Sequence, residues 1–152
     1  LASAGGDKKV RLINAENGQE QTTLYGAEGP LYCVAFNHDG NYVAAGGWDG
    51  AVRIWSTMDG TSVAALRKDP EVKRDILSIA YSGDDSKIVT GSDDGGVRVW
   101  NVKDRTETAV FRGHDRSVTC VAYAEDGTLI ISSSRDGSVR MWDPATIEGL
   151  QN

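Results

Sequence analysis

Four segments of the chain are close copies of one another: GGDKKVRLIN at 5–14, GWDGAVRIWS at 47–56, SDDGGVRVWN at 92–101 and SRDGSVRMWD at 134–143. Self-similarity at a fixed spacing means one structural unit used several times, and it constrains the fold more than any local propensity. The shared aspartate falls at Asp7, Asp49, Asp94 and Asp136, a spacing of 42, 45 and 42 residues. The aromatic six residues later is Trp55, Trp100 and Trp142, with Ile13 in the first unit. A second landmark, VAF, IAY and VAY, ends at Phe36, Tyr81 and Tyr123, each 19 residues before its tryptophan. The three extra residues of the longer unit therefore fall between Trp55 and Tyr81, where the charged run RKDPEVKRD, 67–75, reads as a surface loop.

Within a unit, LYCVAF, YVAAGG, AVRIW and SVAAL are short β-favouring runs. Asp39-Gly40, Asp49-Gly50 and Asp59-Gly60 punctuate them; the last unit has Asp126-Gly127 and Asp136-Gly137, and the first has Asn17-Gly18. Such pairs suit two-residue type I′ hairpins, which need positive φ at both central residues. Each unit is therefore predicted to be a four-stranded antiparallel meander. No helical period of comparable length appears, and DPATIEG at 143–149 is the one ambiguous stretch. The strands are apolar on both sides: Val97 and Val99 point one way, Trp100 and Arg98 the other. A sheet with two apolar faces needs a neighbour on each, and radial stacking into a β-propeller supplies them. The expected fold is all-β, a partial propeller of four-stranded antiparallel blades: three full blades preceded by one lacking its inner strand. The blades are expected near 1–26 (incomplete), 27–69, 70–112 and 113–152.

These residues resemble the WD-repeat family of β-propellers over essentially the whole chain. The family's Gly-His pair is Gly113-His114, and its Trp-Asp pair is Trp142-Asp143. The resemblance implies a buried hydrogen-bonded tetrad, and the last unit holds all four members: Ser132, His114, Asp136 and Trp142. The third unit keeps Thr90, Asp94 and Trp100, with Val72 at the histidine place. The second keeps Asp49 and Trp55, with Ala27 and Ala45 at the other two. The first keeps Ser3 and Asp7 and has Ile13 for the tryptophan. The tetrad thus decays towards the N-terminus, where hydrophobic packing is expected to carry more of the stability and the last blade to be the stiffest.

Chemistry is weighed against this structural reading and loses. Ser132, His114 and Asp136 have the residue types of a hydrolase triad, but the resemblance buries the serine under an indole, and nothing else converges as an oxyanion site. No enzyme activity is expected. No metal site is expected either: the two histidines, His38 and His114, belong to different kinds of turn, and the carboxylate pairs Asp84-Asp85 and Asp93-Asp94 lack calcium-loop spacing. No phosphate-cradling glycine loop opens a helix, so no cofactor is expected. Cys33 and Cys120 hold the same place in two non-adjacent units and read as reduced core residues, not a disulfide. The recurring Arg11, Arg53, Arg98 and Arg140 are expected between blades or at their rim, partly stacked. A formal net charge of −6 disfavours a nucleic-acid backbone as the main partner, and no apolar run approaches a membrane span.

The expected function is a non-enzymatic scaffold that presents a face to a protein or peptide. The resemblance puts that face at the tight aspartate turn and the loop into each inner strand. Trp48, Asp93 and Arg135 precede the turn aspartates. Glu28, Pro30, Tyr32, Lys73, Asp75, Asp115 and Ser117 lie on the loops or at the starts of the inner strands, giving an acidic and aromatic surface. Trp48 leads, because tryptophan is enriched at binding hot spots, against the alternative that its ring folds onto its own blade. A regulatory or sensor module of a larger enzyme or signalling protein, and a nucleic-acid or chromatin platform, are the competing functions. About half a ring is present, so a fragment of a longer chain, closure of one ring by two copies, or docking of the open blade edges on another subunit are the three ways to cover the end blades. The start in mid-repeat at Leu1 favours the fragment and leaves the compartment open, with cytoplasm or nucleus preferred.

Overall fold

The computed structural model describes residues 1–67, 69, 71, 74–124 and 127–148. They form four antiparallel sheets in chain order. The first holds β1 (Ala2–Ala4), β2 (Val10–Ile13) and β3 (Glu20–Leu24). The second holds β4 (Leu31–Phe36), β5 (Tyr42–Gly47), β6 (Val52–Ser56) and β7 (Ser62–Leu66), and the third β8 (Ile76–Tyr81), β9 (Lys87–Ser92), β10 (Val97–Asn101) and β11 (Thr106–Phe111). The fourth holds β12 (Val118–Tyr123), β13 (Ile130–Ser134) and β14 (Val139–Trp142). The register repeats with the sequence: Ser3 pairs with Arg11, Ala45 with Arg53, Thr90 with Arg98 and Ser132 with Arg140.

The cores lie between sheets. Val10, Leu12 and Leu24 of the first blade meet Leu31, Val43, Ala45 and Trp55 of the second. On its other face the second blade sends Val52, Ile54 and Leu66 against Ile76, Ile79, Ile88 and Trp100 of the third. The third then sends Val89, Val97, Val99 and Phe111 against Val118, Val121 and Ile130 of the fourth. The alternation of a pleated strand produces this division: Val97 and Val99 enter one core while Trp100 enters the other. Each fully buried aliphatic side chain contributes ~1.5–3 kcal/mol, so the three seams hold the partial propeller together. Where the stack ends, the same positions are bare. Val97 and Val99 are 0% and 1% exposed, whereas their counterparts Val139 and Met141 are 68% and 69% exposed.

Several expectations are corrected. The last blade shows three strands among the described residues, and the stretch that would make its fourth lies almost wholly outside them. Asp143 Oδ1 accepts the Ala145 N–H at 2.8 Å, and Pro144 brings no N–H to a ladder, so the chain turns into the short helix α1 (Ala145–Glu148). By the 42-residue spacing, the counterpart of β11 begins only at 148. The hairpins are not type I′. Gly18, Gly40, Gly50, Gly60 and Gly137 have positive φ, but the Asn or Asp before each does not. Gly50 N–H closes a turn on Gly47 O at 3.1 Å, and Asp49 Oδ1 accepts the Ala51 N–H at 3.1 Å. The turns at Gly40, Gly50 and Gly137 are β-turns ending on a left-handed glycine, those at Gly18 and Gly60 close one residue wider on Asn14 O and Ser56 O, and in each the Asp or Asn side chain accepts a backbone N–H. Asp126 lies outside the described residues. Both cysteines are free, as expected, but only Cys33 packs inside; burial pushes its thiol up to about 12. Cys120 is exposed on β12.

Candidate functional site

In the last blade, His114 and Ser132 are drawn under the ring of Trp142. His114 Nε2 lies 2.7 Å from Ser132 Oγ, and Trp142 Nε1 donates to the same oxygen at 2.8 Å. His114 Nδ1 lies 3.0 Å from Asp136 Oδ2, and the Asp115 backbone N–H donates to that oxygen at 3.0 Å. The imidazole stands edge-on to the indole at 5.9 Å, and Phe111 of the third blade covers the indole at 5.3 Å. Ser138 Oγ, 2.6 Å from Asp136 Oδ1, is the main reason the Asp136 carboxyl titrates well below the usual carboxylate range. Burial opposes this, and the Ser138 and Asp115 N–H groups and then His114 add further to the lowering. Ser132 is buried and its oxygen is engaged by the indole N–H and the imidazole, which is the geometry of a structural clasp and not of an exposed nucleophile.

The earlier blades meet the same needs with other atoms. In the third, Trp100 Nε1 donates to Thr90 Oγ1 at 3.0 Å, while Arg98 reaches both oxygens of Asp94, at 3.0 and 2.5 Å. Burial alone would raise the Asp94 carboxyl; Arg98, the Gly96 N–H and Arg74, 2.9 Å away, reverse this and leave it below the ordinary value. Val72 lies outside the described residues. In the second, Trp55 Nε1 donates to Tyr25 O at 2.9 Å and Arg53 Nη1 to Asp49 Oδ2 at 2.5 Å, both pair members buried. In the first, Arg11 holds Asp7 at 2.5 Å on a more exposed surface, and Ser3 is exposed. Arg11, Arg53 and Arg98 therefore sit against their own turn aspartates, which the stacking expectation did not foresee. The signal was present: Asp and Arg stand four residues apart in all four units. Arg140 is exposed, because His114 and Ser138 already occupy Asp136.

The residues proposed for partner contact gather on the rim that carries these turns. One backbone bond recurs there: Trp48 N–H to Pro30 O at 2.9 Å, Asp93 N–H to Asp75 O at 3.0 Å, and Arg135 N–H to Ser117 O at 2.9 Å. Ser117 Oγ donates to Asp93 O at 3.2 Å and so joins the third and fourth blades. Trp48 is 41% exposed, and one side of its ring lies over Gly29, where an added Cβ would come within 2.6 Å of an indole carbon. Tyr32, Glu28, Asp93, Asp115 and Arg135 are exposed; Pro30, Asp75 and Ser117 are half-buried; Lys73 lies outside the described residues. Glu28 faces Arg53 at 3.5 Å and Arg67 at 3.8 Å, so its carboxylate also serves the fold. Burial, then the charge of Asp93, raises the Asp75 carboxyl. Among the described residues, no cluster of three or more His, Cys, Asp or Glu could hold a metal.

Comparison with known proteins agrees with this geometry. The model of the WD domain, G-beta repeat, matches residues 18–56, 66–101 and 105–143. WD repeat and HMG-box DNA-binding protein 1 of Xenopus laevis is 36% identical over 66 residues, 43% of this chain and 6% of that protein. The serine-threonine kinase receptor-associated protein of Homo sapiens is 37% identical over 60 residues, 40% of this chain and 17% of that protein. Periodic tryptophan protein 2 homolog of Schizosaccharomyces pombe is 32% identical over 71 residues, 47% of this chain and 8% of that protein. The chain thus matches less than a fifth of the length of each of these relatives. With three repeats matched and their sheets stacked in sequence order, the chain belongs to the WD-domain, G-beta repeat family.

Proposed function

We propose that this chain is a non-enzymatic interaction scaffold that holds a protein or peptide partner on the rim around Trp48. The observation that carries the reading is the exposed indole beside the acidic loops. A large apolar ring half open to solvent, fixed by Gly29 beneath and by its own backbone bond to Pro30, is preorganised for contact. Tyr32 adds a second exposed aromatic, and Glu28, Asp75, Asp93 and Asp115 make the surroundings acidic. A basic or mixed peptide segment complements that charge, whereas a phosphate backbone is repelled by it. The tetrad Ser132, His114, Asp136 and Trp142 supports the rim from below.

Trp48→Ala tests the reading. A partner captured by the wild-type protein is expected to be lost or weakened while the melting temperature is unchanged. A variant that unfolds would put Trp48 in the core and end the proposal. Because the matched relatives are much longer, we read the scaffold as one module of a larger assembly. The bare Val139 and Met141 face is then where a further blade or subunit docks.

A further inference from the structure

The rim that carries Trp48 is not acidic throughout. In three units the repeated arginine is held by two carboxylates: Arg11 by Asp7 and Glu20, Arg53 by Asp49 and Glu28, Arg98 by Asp94 and Glu107. Arg140 is exposed and has no such partner among the described residues. Both sources of a carboxylate fail for identifiable reasons. Asp136 commits Oδ2 to His114 and the Asp115 N–H, and Oδ1 to Ser138. Seven residues after the aromatic position, where Glu20 and Glu107 stand in the first and third units, the last unit has Gly149.

The Arg140 head lies against Gly113. A Cβ on that glycine would come within 3.2 Å of Arg140 Nη1 and 3.1 Å of the Trp142 ring, so the absent side chain leaves the guanidinium and the indole edge beside bare backbone. Arg112, the residue before Gly113, is a second exposed arginine without a carboxylate partner among the described residues. Arg116 and Arg135 continue the basic edge, but charge there is closer to balance: Asp115 precedes Arg116, and the Asp93 carbonyl accepts from Ser117. The acid of β11, Glu107, is already held by Arg98. Two guanidiniums offer planar forks of N–H donors, the geometry that carboxylates accept in pairs. On a chain of formal net charge −6, long-range attraction does not bring an anion here, so what binds must be recognised at contact.

We propose that Arg112 and Arg140 form a docking site for an acidic polypeptide segment at the fourth-blade end of the rim. A glutamate or aspartate of the partner lies across Gly113, and its carboxylate accepts from the two guanidiniums. A nucleic-acid strand fits less well, because its continuous phosphates would run on past Asp115 and Asp93. The site adds to the Trp48 reading without resting on it. Together the two ask for a mixed segment, basic beside Trp48 and acidic over the fourth blade.

Backbone amide spectra of the protein, titrated at low salt with capped tetraglutamate, capped tetraglutamine and a thymidine tetranucleotide, test it. Tetraglutamate is expected to shift the amides of Gly113, Asp115 and Gly137 saturably, with tetraglutamine at least about tenfold weaker. Arg140→Gln is expected to keep the wild-type melting temperature and to weaken tetraglutamate about threefold; adding Arg112→Gln brings the loss to about tenfold. Trp48→Ala is expected to leave this affinity unchanged, so failure here and failure of the Trp48 reading are separate results. Equal binding of tetraglutamine would remove charge from the recognition. Tighter binding of the oligonucleotide would make the site one for nucleic acid. Unchanged affinity in the doubly substituted protein would place the peptide elsewhere, and a lowered melting temperature for Arg140→Gln would make that guanidinium part of the fold. Each of these overturns the proposal.

Discussion

The second and last blades share a backbone register and a tryptophan but complete their polar interiors with different side chains. In the last, one serine oxygen serves both the Trp142 indole and the His114 ring, and the histidine reaches on to Asp136. In the second, Ala45 and Ala27 stand where the serine and histidine would be. The Trp55 indole goes instead to the Tyr25 carbonyl, and Asp49 is held by Arg53. What the repeat preserves is the requirement, an acceptor for the indole and a donor for the aspartate, and not the residues that meet it. The two solutions differ in risk. Without His114 the Asp136 carboxylate still accepts from Ser138 and from the Asp115 N–H, whereas the buried Asp49 without Arg53 is a charge with no counter-charge in its pair.

That difference sets the largest expected effect. Arg53→Ala leaves Asp49 buried and unpaired, and is expected to destabilise the protein by about 3–5 kcal/mol in urea unfolding. Arg11→Ala removes the same pair from the exposed first blade and is expected to change the unfolding midpoint little. If the two substitutions cost the same, burial is not what distinguishes the blades. His114→Ala comes next, at about 1–3 kcal/mol, because it strips the Ser132 hydroxyl and Asp136 of a partner without isolating a charge in the core. A His114→Ala variant as damaging as Arg53→Ala would make the tetrad the stronger device.

The strands, their order and the both-sided burial of Val97, Val99, Arg98 and Trp100 were legible in the sequence, because the 42-residue spacing aligns every element with its counterpart. The members of the tetrad could be placed from the resemblance, and they lie within hydrogen-bonding distance of one another. The Asp-to-Arg pairs were missed although their spacing recurs. Whether residues four apart across a turn face each other depends on the turn, and a type I′ geometry does not describe these turns. The decline of the tetrad was read as a shift to hydrophobic packing, whereas in the second and third blades charge pairing replaces part of it. The expected rigidity of the last blade met a tertiary fact no local pattern contains: its outer face has no neighbour among the described residues.

Acid should sharpen the comparison by a smaller amount. Asp84, held mainly by the Ser82 and Ser86 hydroxyls, titrates at about 2, and Asp94 and Asp136 are also depressed. An unfolded aspartate takes up its proton near ~3.9, so below that value the unfolded chain binds more protons and stability falls with pH. The contribution is complete above about pH 4 and disappears as the pH drops towards 2. Asp84→Asn is expected to flatten the dependence of the unfolding midpoint on pH within that window and to leave it unchanged at neutrality apart from a constant offset. An unaltered slope would mean that the hydroxyl bonds at Asp84 do not persist in solution.

The smallest effect belongs to the bare end of the stack. Val139→Ser changes a side chain that is 68% exposed, and its cost to folding is expected to stay within about 0.5 kcal/mol. The same substitution at Val97, fully buried in the seam with the fourth blade, opens a void and buries a hydroxyl, so it belongs with the costly ones. The contrast isolates the neighbour as the variable, because the two valines share a strand position. Sedimentation then separates two reasons for a small effect at Val139. If the protein is monomeric with and without the substitution, the face is simply uncovered. If the wild type associates and Val139→Ser is monomeric, a second copy covers it, and stability becomes dependent on protein concentration in the wild type alone.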